Sequence, residues 1–201
     1  MNYQYMTYPL IREKGIQQLT KEEAKEYFRY YISQIPSRIE QLSRIYEELG
    51  GGKKEDLDHS KESLIPIWKW YMNNAEIVEL TEEEFDKKRA MNPEFTWEFL
   101  SNKKVTPLWL SISVIDMAMY FAECFLKYYP QILKWDVFLG GKSYVYYNRP
   151  VLKGFFRNKI PMDPSRLLHV RTLKLVDGER NEMALFDLFE VWENKYIKSC
   201  L

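Results

Sequence analysis

Cysteine and histidine are scarce in this sequence, and their scarcity excludes two classes of protein. The chain of 201 residues has only Cys124, Cys200, His59 and His169. The cysteines lie far apart, and Cys124 falls inside an apolar stretch, so a disulfide-stapled secreted fold is excluded and a reducing cytoplasm is favoured. Neither histidine has a histidine or cysteine at ligand spacing, and zinc sites need several such residues. The sequence therefore predicts no metal site and no cofactor.

A targeting segment and a net charge are also lacking. The first residues have no basic start followed by an apolar run, so no signal peptide is predicted. The formal net charge is +0 at pH 7, which argues against a general polyanion binder. The charge is uneven, however, because nine basic residues from Lys134 to Lys174 are accompanied only by Asp136 and Asp163. This local excess indicates either an anionic partner or an internal complement to the acidic first half of the chain.

One long apolar run is present, PLWLSISVIDMAMYFAECFLKYYP, from Pro107 to Pro130. Its periodicity predicts a long central helix, about 107–129, that is apolar all round except for one narrow polar stripe. The polar stripe consists of Trp109, Ser113, Asp116, Tyr120, Glu123 and Lys127. In a membrane, Asp116 would lie near the bilayer centre at a cost of about 2.5–3.5 kcal/mol. We therefore expect a buried helix in a soluble domain and no membrane partner.

Helix signals before this run predict the first half of a single domain, residues 1–201. Residues 1–52 are interpreted as an extended arm and a helical hairpin, because Thr20 and Glu23 form a capping box and Pro36 separates two helices. A third helix should begin near Asp58 or Ser60, and a short acidic helix at Thr81. Residues 94–106 allow either an aromatic loop or a short helix.

After the central helix the pattern changes to β-strands. Residues 107–201 are expected to hold the central helix, a small antiparallel β-sheet at about 133–156 and two C-terminal helices. Runs at 133–139 and 143–147 flank a glycine turn and predict a hairpin, with a third strand at 151–156. Asp163-Pro164 predicts a helix start, and a last helix is expected over roughly 181–197. The fold class is therefore α+β and mostly helical.

Asp116, Tyr120 and Glu123 form a candidate catalytic group. The carboxylates lie two turns apart on one helix face, and burial can set the pKa values of such a pair apart for acid–base catalysis. The structural alternative is that both carboxylates accept hydrogen bonds from neighbouring elements, with Arg149 or Arg171 as the expected partners. Because buried acids are more often structural, no catalytic residue is assigned.

Aromatic and basic residues interleave between positions 134 and 174 and form a candidate binding surface. Its predicted members are Trp135, Tyr144, Tyr146, Arg149 and Arg171. Aromatic side chains and arginine are enriched in protein interfaces, so a protein partner, and an acidic one, fits this composition. Aromatic residues on strands beside basic residues also bind single-stranded nucleic acids, but the zero net charge and the lack of an RNP-like motif argue against it.

The pattern D-x-A-x-Y-x-x-E over 116–123, followed by Lys134-Trp135, Arg149-Pro150-Val151-Leu152 and Gly154-Phe155, resembles the layout of small uncharacterised bacterial proteins of the polymorphic-toxin immunity type. The resemblance covers residues 107–156. It implies a helix packed on a short antiparallel sheet, and a function in binding and blocking a toxin. We therefore expect a non-enzymatic cytoplasmic protein that binds another protein. An enzyme that uses the polar stripe and a single-stranded nucleic-acid binder are the alternatives.

Overall fold

Most of the chain is helical, as the sequence predicts. The computed structural model describes residues 3–91, 103–157 and 159–200, so most of the segment expected to be an aromatic loop or helix, residues 94–106, lies outside it. The helices are α1 (Pro9–Lys14), α2 (Lys21–Glu48), α3 (Leu64–Asn73), α4 (Glu82–Met91), α5 (Leu108–Tyr128), α6 (Pro164–Val176) and α7 (Ala184–Tyr196). The strands are β1 (Val78–Glu79), β2 (Lys104–Val105), β3 (Lys134–Val137) and β4 (Pro150–Lys153).

Helix α5 is the predicted central helix, and it lies in the core. Helices α2 and α6 pack against it, and Phe125 stacks on Phe189 of α7 with 3.9 Å between the ring centroids. Length and composition alone would allow α5 to cross a membrane, but 67% of its most apolar window is buried inside the protein. Such burial is the pattern of a core helix, whose apolar surface contributes about 25 cal/mol for each Å² removed from water.

The predicted helical hairpin is wrong, because α2 continues through Pro36 as one helix of 28 residues. A proline inside a helix removes a backbone hydrogen bond and costs about 3 kcal/mol. Pro36 lies on the exposed face, where water can bond the released carbonyl. The opposite face stays buried across it, from Tyr31 and Ile35 to Arg38 and Leu42. Tertiary packing therefore outweighs the local signal to stop.

The small antiparallel sheet is confirmed, but its strand pairing differs from the prediction. Strand β3 pairs with β4, with Trp135 opposite Leu152, and the expected strand at 143–147 is instead a series of turns. Asn148 adopts φ 63°, a left-handed conformation that asparagine tolerates and a strand does not contain. The chain therefore reverses before Pro150, which begins β4, a position that strands allow for proline.

The N-terminal arm is not wholly extended, since Pro9 opens the short helix α1. Tyr3 is nonetheless buried, so the arm does lie over the domain. The capping box of Thr20 and Glu23 is present at the start of α2, and Asp163 caps α6 through Arg166 N. Helix α3 begins at Leu64, later than predicted, with Pro66 in its first turn.

Candidate functional site

Asp116 in the polar stripe forms a buried ion pair. Its Oδ1 accepts from Arg38 Nε at 2.8 Å and its Oδ2 from Arg38 Nη2 at 2.6 Å. The Tyr3 hydroxyl also donates to Oδ2. Burial raises the pKa of Asp116, while the hydrogen bonds and charge of Arg38 act in the opposite direction. Burial and the charge of Asp116 raise the pKa of Tyr3, so its phenol remains a donor.

Tyr120, one turn further along α5, is fully buried and joins the loop before α3 to the central helix. Its hydroxyl accepts from the backbone N–H of His59 at 3.1 Å and lies 2.5 Å from Ser63 Oγ. The imidazole of His59 packs against the Tyr120 ring with centroids 4.9 Å apart. Burial raises the pKa of Tyr120 and lowers the pKa of His59. These groups hold the 57–63 loop in place.

The last two members of the polar stripe bind strand β3 and, a second time, the 57–63 loop. Glu123 Oε1 accepts from Trp135 Nε1 of β3 at 2.9 Å. Lys127 Nζ donates to the Asp58 carbonyl at 2.7 Å. Neither bond was expected from the sequence. The polar groups of the stripe from Asp116 onward therefore connect α5 to three parts of the chain, which are α2 with the N-terminal arm, the 57–63 loop and β3.

This arrangement supports the structural interpretation of the polar stripe and argues against the catalytic one. An acid–base residue must be able to reach a substrate, whereas Asp116 and Tyr120 are both 0% exposed, and both oxygens of Asp116 accept hydrogen bonds. The expected partners Arg149 and Arg171 are wrong, because Arg38 takes their place. Within the described parts of the chain, no group of acidic, histidine or cysteine side chains could hold a metal ion.

Arg38 and Tyr3 are the residues that sequence reasoning missed. Arg38 continues the spacing of Tyr31 and Ile35 along α2 and so faces the core. A charged residue in the apolar stripe of a helix signals a buried partner. Pro36 hides this signal, because a proline predicts the end of a helix before Arg38. Tyr3 gave no sequence signal, since its segment has no periodicity.

An exposed aromatic loop, residues 138–147, follows β3 and contains two of the predicted binding residues. Tyr144 is 57% exposed and Val145 is 41% exposed. The Phe138 ring lies 5.6 Å from the ring of Tyr144 and 5.8 Å from that of Tyr146, both edge-on. Edge-on packing is a geometry that aromatic pairs prefer, so the exposed ring of Tyr144 and the half-buried rings of Phe138 and Tyr146 pack on one another.

The base of the aromatic loop is fixed to the domain. Phe138 N donates to Arg149 O at 3.0 Å, and Asn148 N donates to Phe138 O at 2.8 Å. The buried side chain of Asn148 donates from Nδ2 to Ile16 O at 3.2 Å and to Leu19 O at 2.7 Å. Inside the loop, Tyr144 N donates to Gly141 O at 3.0 Å. The loop thus presents its rings from a hydrogen-bonded frame.

The five predicted binding residues do not form one surface. Trp135 is half-buried and packs on Tyr31, with ring centroids 5.6 Å apart. Arg149 lies at the base of the aromatic loop beside Asp163. Arg171 lies two turns along α6 and approaches Glu179 at 3.8 Å. Only Tyr144 and Tyr146 lie together, in the aromatic loop, where Tyr144 is exposed and Tyr146 is half-buried.

The basic excess between positions 134 and 174 is partly neutralised inside the molecule. Lys153 pairs with Asp136 at 2.8 Å, and Lys174 pairs with Glu179 at 3.1 Å. Among the residues that the structure describes, no ion pair involves Lys134 or Lys142. Lys142 in the aromatic loop and Lys134 at the start of β3 therefore remain available to a partner.

Comparison with known protein families, with curated proteins and with solved structures finds no match to this chain.

Proposed function

We propose that this protein works by binding another protein through the aromatic loop, without catalysis, as an immunity or inhibitor factor of a bacterium. The single observation that carries the proposal is the exposure of Tyr144 and Val145 on a loop whose base is fixed. Tyrosine is enriched at interface hot spots. A frame that is ordered before binding reduces the entropy lost on association.

The charges beside the aromatic loop favour an acidic partner. Lys142 belongs to the loop and Lys134 opens the strand that leads into it. The nearby carboxylates are engaged, since Asp136 pairs with Lys153 and Asp163 lies beside Arg149. The uncompensated charge of this region is therefore positive, and complementary charge on a partner would speed association and fix its orientation.

The immunity class is the narrower part of the proposal. It rests on the resemblance of residues 107–156, and the cytoplasmic setting rests on the scarcity of cysteine. Cys124 is buried as a free thiol, which is compatible with a reducing compartment. A toxin gene beside the gene for this protein, and protection of cells that express that toxin, would support this class. A neighbouring metabolic operon would count against it.

The binding proposal is tested by affinity capture with matched variants. Purified wild type, Tyr144→Ala and Tyr146→Ala are compared as baits in lysate of the source cell. Tyr5→Ala is the control, because Tyr5 is 52% exposed, close to the 57% of Tyr144, and lies in the N-terminal arm. A protein retained by wild type and Tyr5→Ala but lost with the loop variants is then purified and its Kd measured.

Removal of an interface tyrosine is expected to weaken that Kd by about 30-fold, as for a hot spot of about 2 kcal/mol. Equal capture by all four baits, or no captured protein in repeated trials, contradicts the proposal. Capture of nucleic acid with affinity that falls steeply with salt would favour the alternative function.

A further inference from the structure

A second buried polar cluster lies behind the aromatic loop, outside the polar stripe. It brings together Tyr31 of α2, Arg149 before β4, and Asp163 at the start of α6. Tyr31 is 2% exposed and Asp163 is 3% exposed. Arg149 Nη1 approaches Asp163 Oδ2 at 3.8 Å, and the charge of Asp163 contributes to raising the pKa of Tyr31, after burial and Tyr27. Arg149 therefore lies at the edge of the cluster, with 33% of its side chain exposed, and Tyr31 is close enough to Asp163 for that charge to act on its hydroxyl.

Each of the three residues is held in place by its own segment of the chain, so the three side chains cannot easily move together to bond one another directly. Arg149 is fixed by its backbone, since its N–H donates to Tyr146 O at 2.9 Å and its carbonyl accepts from Phe138 N. Asp163 caps α6 through Oδ1, which accepts from Arg166 N at 3.0 Å. The ring of Tyr31 packs edge-on against Trp135.

Three polar atoms of this cluster are buried without a hydrogen-bond partner among the described residues. They are the Tyr31 hydroxyl, Arg149 Nε and Asp163 Oδ2. Ser165 also neighbours the Tyr31 hydroxyl and acts to lower the pKa of Tyr31, but no hydrogen bond joins them. Buried polar groups in folded proteins almost always have a partner, either protein or ordered water. The 3.8 Å between Arg149 Nη1 and Asp163 Oδ2 is longer than a direct hydrogen bond, and contacts of this length raise the question of a bridging water.

The charges of the cluster select the class of ligand. An anion would be repelled by the carboxylate of Asp163, and a metal cation by the guanidinium of Arg149. A neutral ligand must accept from Arg149 Nε and Tyr31 Oη and donate to Asp163 Oδ2. Water has this combination of acceptors and donors, and internal waters make about three such bonds.

We propose that Tyr31, Arg149 and Asp163 bind one internal water molecule that joins α2, the base of the aromatic loop and the start of α6. The water accepts hydrogen bonds from Arg149 Nε and Tyr31 Oη and donates one to Asp163 Oδ2. It also completes the support of the aromatic loop, because Arg149 adjoins Asn148, the residue that anchors that loop. The site does not depend on what the loop binds.

A high-resolution crystal structure of the full chain tests the site directly. The expected result is one density peak at about 2.7–3.2 Å from Arg149 Nε, Tyr31 Oη and Asp163 Oδ2. Direct pairing of Arg149 Nε with Asp163, or a hydrogen bond between Tyr31 and Ser165 with no such peak, overturns the proposal. A peak that contacts only one of the three atoms overturns it too.

Magnetic relaxation of water oxygen-17 in solution gives a second readout, since it counts long-lived internal waters. Tyr31→Phe is expected to lose one such water relative to wild type. Asp163→Asn is the second variant, with the same expected loss, and replaces Tyr31→Phe if that variant does not fold. Tyr71→Phe is the matched control, because the buried Tyr71 hydroxyl already bonds Thr172 within the protein. Equal numbers of internal waters in wild type and in both cluster variants overturn the proposal.

Discussion

The polar stripe of α5 and the aromatic loop contain the two groups of residues that the sequence singled out, and the structure uses them in opposite ways. In the stripe, Asp116 and Tyr120 are fully buried, and their polar atoms bond to distant parts of the chain. In the loop, Tyr144 and Val145 are exposed, and the rings of Tyr144 and Tyr146 contact Phe138 of the same loop.

The difference teaches that the surroundings of a polar or aromatic group decide its role. A carboxylate removed from water is destabilising unless it is paired and hydrogen-bonded. The buried Asp116 meets this condition by joining α5 to Arg38 of α2 and to Tyr3 of the N-terminal arm. An aromatic ring left in water forgoes burial, and our proposal is that the exposed Tyr144 belongs to a surface that a partner covers. Stability should depend on the polar stripe and binding on the loop.

The largest expected effect is on stability, from Asp116→Ala. Its removal leaves Arg38 buried without its counter-ion, which costs about 3–5 kcal/mol when a buried pair is broken. The measurement is the free energy of unfolding in urea. Lys127→Ala is the control within the stripe, because Lys127 is exposed and should change stability by less than about 0.5 kcal/mol. Equal losses in both variants would contradict a special role for Asp116.

Asn148→Ala tests the junction between the loop and the domain. It removes the hydrogen bonds to Ile16 O and Leu19 O and places alanine at φ 63°. The expected loss is about 1–3 kcal/mol of unfolding free energy, together with weaker partner binding because the loop is less ordered. Asn148→Gly keeps the backbone conformation and isolates the hydrogen bonds. Wild-type stability in both variants would show that Asn148 does not anchor the loop.

Tyr144→Ala should separate the two regions most clearly. The side chain is mostly exposed, so the free energy of unfolding should change by less than about 0.5 kcal/mol, while binding of the captured partner weakens. Chemical denaturation and a binding titration on the same sample measure the two effects. A loss of stability above about 1 kcal/mol would mean that the ring supports the fold.

The smallest effect concerns pH and His59. His59 faces Asp58 of its own loop and Glu123 and Lys127 of α5, and burial is the main cause that lowers its pKa below 6.5. The unfolded chain therefore binds this proton more readily than the native one. Stability from His59 is present above about pH 6.5 and is lost as the pH falls through its lowered pKa.

The measurement for His59 is unfolding free energy at about pH 8 and about pH 5 for wild type and His59→Gln. Wild type should lose more stability on acidification than the variant does, because glutamine does not titrate. A larger loss in His59→Gln would reverse the sign and show that the protonated imidazole stabilises the fold.

Local sequence signals predicted the helices correctly where the conformation that they favour is also the one that tertiary packing requires. The capping box at Thr20, the Asp163-Pro164 helix start and the apolar run of α5 each act over a few residues or one helix face. The helix break at Pro36 and the strand at 143–147 failed because tertiary contacts outweighed propensity. One helix face continues past Pro36, and Asn148 turns the chain out of the sheet.

The candidate site was less predictable than the fold, because partners distant in sequence decide it. The polar stripe identified Asp116, but its partner Arg38 lies 78 residues away, and no spacing rule connects them. Tyr144 and Tyr146 were predicted from composition alone. Their cluster with Phe138 depends on the turns after β3, whereas the residue pattern predicts a strand there.

A double-mutant cycle on Arg38 and Asp116 tests most directly whether the polar stripe is structural. Arg38→Met, Asp116→Leu and the double variant are compared with wild type by unfolding in urea. We expect each single change to be strongly destabilising and the double variant to be far less so than their sum, with a coupling of about 3 kcal/mol. If the loss of unfolding free energy in the double variant equals the sum of the two single losses to within about 0.5 kcal/mol, the two side chains do not depend on each other.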